Sequence, residues 1–422
     1  MRLCIFEDDT FDNLYPLTYL RPMFELKCGH TSLGQKLVRT FPGLPPAYFV
    51  RKSIAPTFAK RTGSPVNDSS MLTGDSVLLA NGRWLCLGTD VKAEGPDEVG
   101  LCNGEVIYVR ASRQTAAQCD GSNVFQFIET AKSKLPKKEV KATLIGYPWH
   151  LVNHNGEAIE ADFKALGKRG IEGTFSQHAA VWGDEGSVYV AKGAEVQPFV
   201  CLDTTHGPVI IDEGAKINPH TRIEGPCAIG KDTLILGGKM RAETAIGPVC
   251  RVGGEVEASI IHGYSNKYHD GFLGHAYVGE WVNLGALTTN SDLKNDYTQV
   301  QVHIKGKLMD SHDTKVGSFI GDHTKTSIGT YFNSGTVVGI MCNVMGSGGV
   351  LPKFLPCFSW FFNNRFSRGY GFKALLDTAR TAMGRRKKAL SPEDLALLEY
   401  VHHITRDERE ELIKKSRREL LR

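Results

Sequence analysis

The chain has no apolar run approaching the ~20 residues that a membrane-spanning helix needs, so a transmembrane protein is not expected. Its ten cysteines show no Cys-x-x-Cys spacing, which fits reduced thiols in a cytoplasmic protein rather than a disulfide framework. The N-terminus, Met1-Arg2-Leu3-Cys4-Ile5-Phe6-Glu7-Asp8-Asp9, turns acidic after a short apolar stretch, so no secretory leader is expected. Without one, the Asn67-Asp68-Ser69 glycosylation pattern reads as chance. Charge of one sign is also scarce. A net +4 over 422 residues is too mild to imply nucleic acid as a partner. What remains is a cytoplasmic globular chain long enough for two or three domains.

Against these absences stands one strong periodicity. Ile211, Ile217, Ile223, Ile229 and Ile235 place an aliphatic residue at every sixth position. The phase recurs at Val190, Val196 and Leu202, then at Ile246 and Val252, and at Val278 and Leu284. It closes with Ile320, Thr326, Phe332, Val338 and Val344. Six residues is the period of neither an α-helix nor an alternating strand; it is the signature of a parallel β-helix. Three such units make one triangular coil, with the periodic side chain pointing inward. The 45 glycines fit the many tight corners this geometry needs.

The period divides the chain. Residues 1–165 lack it and read as an α/β domain, with strands at Leu3–Phe6, Val77–Ala80 and Glu105–Val109 and a helix at Ser122–Lys134. Residues 166–352 carry the β-helix, interrupted near 262–275 and 287–315; such insertions often carry function. Residues 353–422 read as a helical cap over the open end of the solenoid. There Phe372–Lys388 is helical by pattern. Ser391-Pro392-Glu393-Asp394 is a capping box, and Thr405-Arg406-Asp407-Glu408 a second one. The cluster Arg385-Arg386-Lys387-Lys388 reads as a solvated helix end, with a phosphate of CoA as the alternative.

Chemistry is expected in the polar stretch from Gly263 to His275 and the Gly279–Ala286 segment after it. Hexapeptide β-helices most often serve acyl-CoA-dependent transferases. Acyl transfer needs a base for the nucleophile's proton, donors for the oxyanion and a slot for pantetheine. A histidine, with an unperturbed pKa near 6.5, suits the base at neutral pH. His269 sits inside the loop beside Asp270, and Lys267 two residues away could hold a substrate phosphate. The bland reading of one histidine among fourteen is a surface residue, and its place in the polar loop is what lifts His269 above it. A zinc site built from His262, His269 and His275 is disfavoured. Residues about six apart lie on different faces of a coil, so these three could converge only across subunits.

At these residues the sequence resembles a known family. The shared motifs include Pro16-Leu17-Thr18 with Arg21-Pro22, Asn81-Gly82-Arg83, and Tyr147-Pro148-Trp149 followed by Asn155-Gly156-Glu157-Ala158-Ile159. Further on come Val252-Gly253-Gly254-Glu255, the segment from Asn266-Lys267 to Gly285, Asn290-Ser291-Asp292-Leu293-Lys294, and Gly321-Asp322-His323-Thr324-Lys325. Together they resemble the bifunctional UDP-N-acetylglucosamine pyrophosphorylase / glucosamine-1-phosphate N-acetyltransferase family, in a divergent bacterial branch. The resemblance implies a left-handed β-helix that forms homotrimers with active sites between neighbours, using acetyl-CoA. It implies His269 as general base, since His269 stands six residues before His275 and fourteen before Asn283. By the same resemblance Asn283 and Asp292 contact the sugar and Ala286 lies along acetyl-CoA, with Lys325 and Ser334 also on the cofactor. Asn290 belongs to the same sugar-contacting segment.

Two departures bear on substrate. The family's sugar-phosphate lysine precedes the base by about a dozen residues, where this chain has Glu255-Val256-Glu257-Ala258-Ser259; Lys267 and Lys294 could compensate. The family's nucleotidyltransferases open with a Gly-rich, basic phosphate loop and a later Mg²⁺-binding Asp. Here the first strand leads into Glu7-Asp8-Asp9, and Val77–Ala80 into Asn81-Gly82-Arg83. Arg21 could still meet a phosphate and Asp75 or Asp90 a metal, so Mg²⁺ is expected only if this domain is active; no metal site is otherwise expected.

The expectation is therefore an α/β domain, a left-handed parallel β-helix and a helical cap. The expected activity is acyl transfer, acetyl above all, to an amino-sugar phosphate or nucleotide-linked amino sugar. One alternative is a sugar-1-phosphate nucleotidyltransferase whose β-helix only organises the trimer. Another is a non-catalytic, regulatory nucleotide-sugar-binding protein.

Overall fold

The computed structural model describes residues 1–346 and 348–420. It divides into two compact units. The first comprises Met1–Leu14, Leu20–Leu26 and Thr31–Gly146, and the second Tyr15–Tyr19, Lys27–His30 and everything from Tyr147 on.

The first unit is built on a six-stranded mixed sheet: β1 (Arg2–Phe6), β2 (Pro46–Phe49), β3 (Val77–Asn81), β4 (Glu98–Cys102), β5 (Glu105–Ala111) and β6 (Lys137–Glu139), in the order β2-β1-β3-β5-β4-β6. Leu3, Cys4, Ile5 and Phe6 are all buried, as a continuous apolar run in a central strand must be. β1 runs parallel to both β2 and β3, and β5 antiparallel to β3. The expected helix forms over Val124–Lys134, with Asn123 accepting at the N-cap from Phe125 and Gln126. The Asn81-Gly82-Arg83 turn needs its glycine: a Cβ there would stand 2.8 Å from the Phe6 carbonyl oxygen and from a Phe24 ring carbon.

The second unit is a parallel β-solenoid, the architecture expected of a left-handed β-helix. One of its sheets is a ladder of ten strands. Every apolar residue of the six-residue phase is buried, Ile211, Ile217, Ile223, Ile229 and Ile235 completely. The inter-coil register carries the predicted coil length: Ile211 pairs with Ile229, Ile217 with Ile235 and Ile320 with Val338. At about 25 cal/mol per Å² of apolar surface, this interior is the unit's main source of stability. The unit starts earlier than residue 166. Asn155 binds both ends of its amide here, accepting from the Gly29 amide at 2.6 Å and donating to the Glu243 carbonyl at 2.6 Å. The Asn155–Leu166 helix thereby packs on the solenoid.

Two sequence expectations change. The stretch 262–275 does not interrupt the coil. Ile260–Gly263, Asn266–Lys267 and Phe272–Gly274 are all paired solenoid strands, and only a short loop over 268–271 bulges out. The excursion after residue 290 is real. It contains an antiparallel hairpin, Gln301–Ile304 with Lys307–Asp310, while Val278 pairs directly with Ile320 beneath it. In the cap, helices span Gly371–Gly384, Pro392–Ile404 and Arg406–Leu420. The first ends before Arg385–Lys388, where Lys387 adopts a φ of 55°. The Ser391 capping box forms. The Thr405 one does not, because its hydroxyl bonds back to the Val401 carbonyl at 2.8 Å.

Candidate functional site

The loop that carries His269 is held from two sides. From inside, Lys267 occupies an interior slot of the coil, in register with Val252 on the preceding turn. Its buried ammonium donates to the carbonyls of Gly253 at 2.7 Å and His269 at 3.1 Å. Burial lowers its pKa to about 8, against the opposing pull of Asp270 and Glu255. Lys267, expected at the acceptor phosphate, is thus turned inward as a brace for the loop. From the next coil, the Leu287 amide donates to the Asp270 carbonyl at 2.8 Å. Gly271 makes that approach possible: at φ 129°, a Cβ would meet the Thr288 carbonyl oxygen at 2.1 Å.

His269 itself is exposed, its ring 5.0 Å from that of Tyr268. It lines a pocket of about 630 Å³ with Asp270, Gly254, Leu287 and Ala286. Two residues expected to serve base and acyl donor therefore share one cavity. The Gly285 amide is engaged, donating to Thr326 Oγ1 at 2.9 Å.

Asn283 lies outside this cavity. It lines a neighbouring groove with Lys325, and Tyr268 forms part of both walls. Its side-chain amide oxygen accepts from Asn266 Nδ2 at 2.7 Å. Lys325 is half-buried, and desolvation lowers its pKa to about 8; it donates to the Trp281 and His323 carbonyls at 2.6 and 3.0 Å.

The remaining expected residues gather elsewhere. Asn290 is buried and clamps Gly274, accepting from its amide at 2.9 Å and donating to its carbonyl at 2.8 Å. Asp292 bonds His275 Nδ1 at 2.8 Å. Burial works against ionisation of Asp292, but the hydrogen bond and charge of His275, aided by Lys315, hold the carboxyl below its ordinary value. Lys294 meets Thr298 and stands 3.6 Å from Asp296. Ser334 is buried beside Asn333, and its carbonyl accepts from Lys353. Ala286, Lys325 and Ser334 thus occupy three separate places within the chain.

Sequence reasoning missed two arrangements. His275 and Asp292 form a histidine–carboxylate pair, in which the carboxylate orients the ring and Nδ1 carries its partner. Their spacing of seventeen residues is nearly one coil, which was the available signal. The second is charge. Glu255 and Glu257 do not stand alone, because Lys239 lies 3.7 Å from Glu255 and Arg241 2.8 Å from Glu257. The cations lacking before the base in sequence stand on the preceding coil.

In the first unit, Glu7 is buried and paired with Arg51, and also accepts from the Met23 amide at 3.2 Å. Burial raises its pKa against the pull of Arg51. Asp8 accepts from Arg83 at 2.7 Å and Asn81 at 3.1 Å. Arg21 is buried, its carbonyl accepting from Arg51 at 3.4 Å. Asp75 accepts from the N-terminal ammonium at 3.2 Å. Among the described residues no group of three or more His, Cys, Asp or Glu side chains could hold a metal ion, and no helix is long and apolar enough to cross a membrane.

These placements can be set beside known proteins. Residues 3–170 match the sugar nucleotidyl transferase family. The chain is also similar to a bifunctional sugar-1-phosphate nucleotidylyltransferase/acetyltransferase of Sulfurisphaera tokodaii, 36% identical over 149 residues. The match takes in 33% of this chain and 35% of that protein. A bifunctional GlmU protein of Methanococcus aeolicus is 37% identical over 198 residues, covering 46% of this chain and 41% of the relative. The matched region therefore spans well under half of either relative's length.

Proposed function

We propose that the solenoid transfers an acyl group, acetyl above all, from acyl-CoA to the amine of an amino-sugar phosphate or nucleotide-linked amino sugar. The observation that carries this reading is the single cavity shared by His269 and Ala286. The names of the relatives, which pair sugar nucleotidyl transfer with acetyl transfer, support the substrate class.

In the reaction His269 takes a proton from the acceptor's amine as its nitrogen attacks the thioester carbonyl. The Ala286 amide is the donor for the oxyanion, since Gly285's is already committed. Collapse breaks the C–S bond, and the imidazolium returns its proton to the departing thiolate. Asn283 is within reach of the acceptor through the adjoining groove, while Lys267 acts by fixing the loop. The His269 loop is exposed. In a homotrimer the His275–Asp292 corner and Lys294 would be the groups offered to a neighbour, with the buried Asn290 supporting that corner through Gly274. Ser334 and Lys325 would then meet the cofactor only from a second copy or after rearrangement.

The test is direct mass-spectrometric detection of N-acylated product from acetyl-CoA with glucosamine 1-phosphate and with a nucleotide-linked amino sugar. Product that forms faster as pH rises from about 5.5 to 8 is expected, because the base must be neutral to accept a proton. A flat profile contradicts the role of His269.

A second reading is nucleotidyl transfer by the first unit, favoured by the family match over residues 3–170. It would use Arg21 at a phosphate and need Mg²⁺. Mg²⁺-dependent release of pyrophosphate from UTP and a sugar 1-phosphate would establish it. Arg51 and Arg83 neutralise Glu7 and Asp8, which removes the repulsion these carboxylates would offer a phosphate and leaves both arginines committed.

A further inference from the structure

The groove next to the His269 pocket has a chemistry of its own. Its volume is about 720 Å³, and it runs between one flank of the solenoid and the Gly371–Gly384 helix with the turn after it. Three guanidinium groups line it: Arg251 from the solenoid, and Arg385 and Arg386 from that turn. The Arg251 guanidinium donates to two carbonyl oxygens among the described residues, those of Cys250 at 3.0 Å and Asp232 at 3.4 Å. Arg386 Nε is buried with no hydrogen-bond partner among the described residues. Burial, then the charges of Arg251 and Arg385, lower the Arg386 pKa. The one carboxylate on the lining, Asp377, is paired with Arg380 at 2.9 Å.

A cluster of like charges with an unmet donor is costly unless an anion completes it. The solenoid wall also carries aromatic rings. Trp281 stacks on Tyr264 with ring centroids 4.5 Å apart and on His323 at 6.2 Å. Trp281 sits at a coil corner with φ 59°, and its carbonyl is held by the Lys325 ammonium. Along the same wall Arg251, Asn266, Asn283 and Lys325 stand in register on successive coils, and the amide oxygen of Asn283 is satisfied by Asn266. Flat aromatic surface, amide groups and arginines are thus offered together in one groove. Those are the groups that base, ribose and phosphates of a nucleotide call for.

We infer that this groove binds the nucleoside diphosphate portion of a substrate, with its base against Trp281 and Tyr264 and its phosphates on Arg251, Arg385 and Arg386. The inference deepens the acyl-transfer reading by assigning the anchor of a nucleotide-bearing substrate. Only the link to that reaction rests on it. Two substrates contain this portion: CoA, through its 3′-phosphorylated ADP, and a nucleotide-linked sugar.

The test is isothermal titration of the full chain with ADP, adenosine 3′,5′-bisphosphate, CoA, UDP and a UDP-sugar, with tryptophan fluorescence recorded in parallel. Binding of one nucleotide per chain is expected, weakened about ten- to hundredfold by Arg386→Gln or Arg251→Gln, each removing one charge-assisted contact. Because Arg386 carries an unmet donor among like charges, Arg386→Gln should leave the melting temperature at the wild-type value or raise it, which separates lost binding from lost folding. CoA and the bisphosphate binding more tightly than UDP identifies the acyl donor as the occupant. The reverse order identifies a nucleotide sugar. No binding of any of the five at millimolar concentration, or binding unchanged in the Arg251→Gln/Arg386→Gln double variant, overturns the proposal. His269→Ala should retain binding while losing turnover, so failure of the groove and failure of the transferase reading remain distinguishable.

Discussion

The two units use their charged side chains in opposite ways. In the first, buried or half-buried carboxylates meet arginines: Glu7 with Arg51, Asp8 with Arg83 and Glu98 with Arg110. Arg83 reaches Glu105 as well, at 2.6 Å. In the second, the interior is almost wholly aliphatic, and charges that matter stand at coil corners and flanks. His269 is exposed, His275 turns one nitrogen to Asp292, and Arg251, Arg385 and Arg386 meet one another. Paired ions hold a structure in one arrangement, and removing one partner strands the other. Unpaired donors and perturbed groups in a cavity are where a ligand or reaction supplies what the protein leaves out. The molecule thus separates a charge-balanced frame from a charge-incomplete working surface.

That contrast can be broken most sharply at Arg83. Arg83→Met strands Asp8, whose side chain is only 12% exposed, and should destabilise the first unit by about 3–5 kcal/mol in denaturant titration. A loss below 1 kcal/mol would mean that the ion pairs do not frame this unit. In the solenoid the corresponding loss should come from an apolar residue. Ile229→Ala, at a fully buried position, should cost about 2–4 kcal/mol and lower the unfolding temperature of that unit.

Lys267 is the exception that sharpens the comparison, being a cation inside the aliphatic interior. Its folded pKa is about 8 and its ordinary value 10.5, so between these the unfolded chain holds more protons on it than the folded one. Stability from this group therefore rises as pH increases from about 8 to 10.5, by about 1–3 kcal/mol. The difference between wild type and Lys267→Met, measured by denaturant titration across that window, should show this rise. A pH-independent difference contradicts it. The smallest loss is expected at the arginine groove: Arg386→Met should leave stability at the wild-type value or raise it, in contrast to Arg83.

The solenoid was legible because one coil dictates one side-chain direction, so Ile211 to Ile235 announce both the fold and its interior. Features that need two coils at once were not. Lys267 stands fifteen residues after Val252 in the interior phase, but its charge made it read as a surface ligand. His275 meets Asp292, and Trp281 stacks on Tyr264, only after a coil closes. The apparent interruption at 262–275 came from polar composition, whereas backbone pairing continues through it. His269 and Ala286, which share a cavity, also stand seventeen residues apart, so the same spacing signal applied to them; the place of Ala286 along the acyl donor was expected only through family resemblance. In the first unit, Glu7-Asp8-Asp9 read as a departure from a basic phosphate loop because the arginine partners of Glu7 and Asp8 lie far along the chain, at 51 and 83.

The central claim is that acyl transfer occurs at His269. The direct measurement is mass-spectrometric product formation from acetyl-CoA and amino-sugar acceptors by wild type, His269→Ala and His275→Ala. The account predicts turnover in wild type, a loss of about 10²–10⁴-fold in His269→Ala, and a smaller loss in His275→Ala. Wild-type rates in His269→Ala, or the large loss falling on His275→Ala instead, would contradict it and move the base to the His275–Asp292 pair.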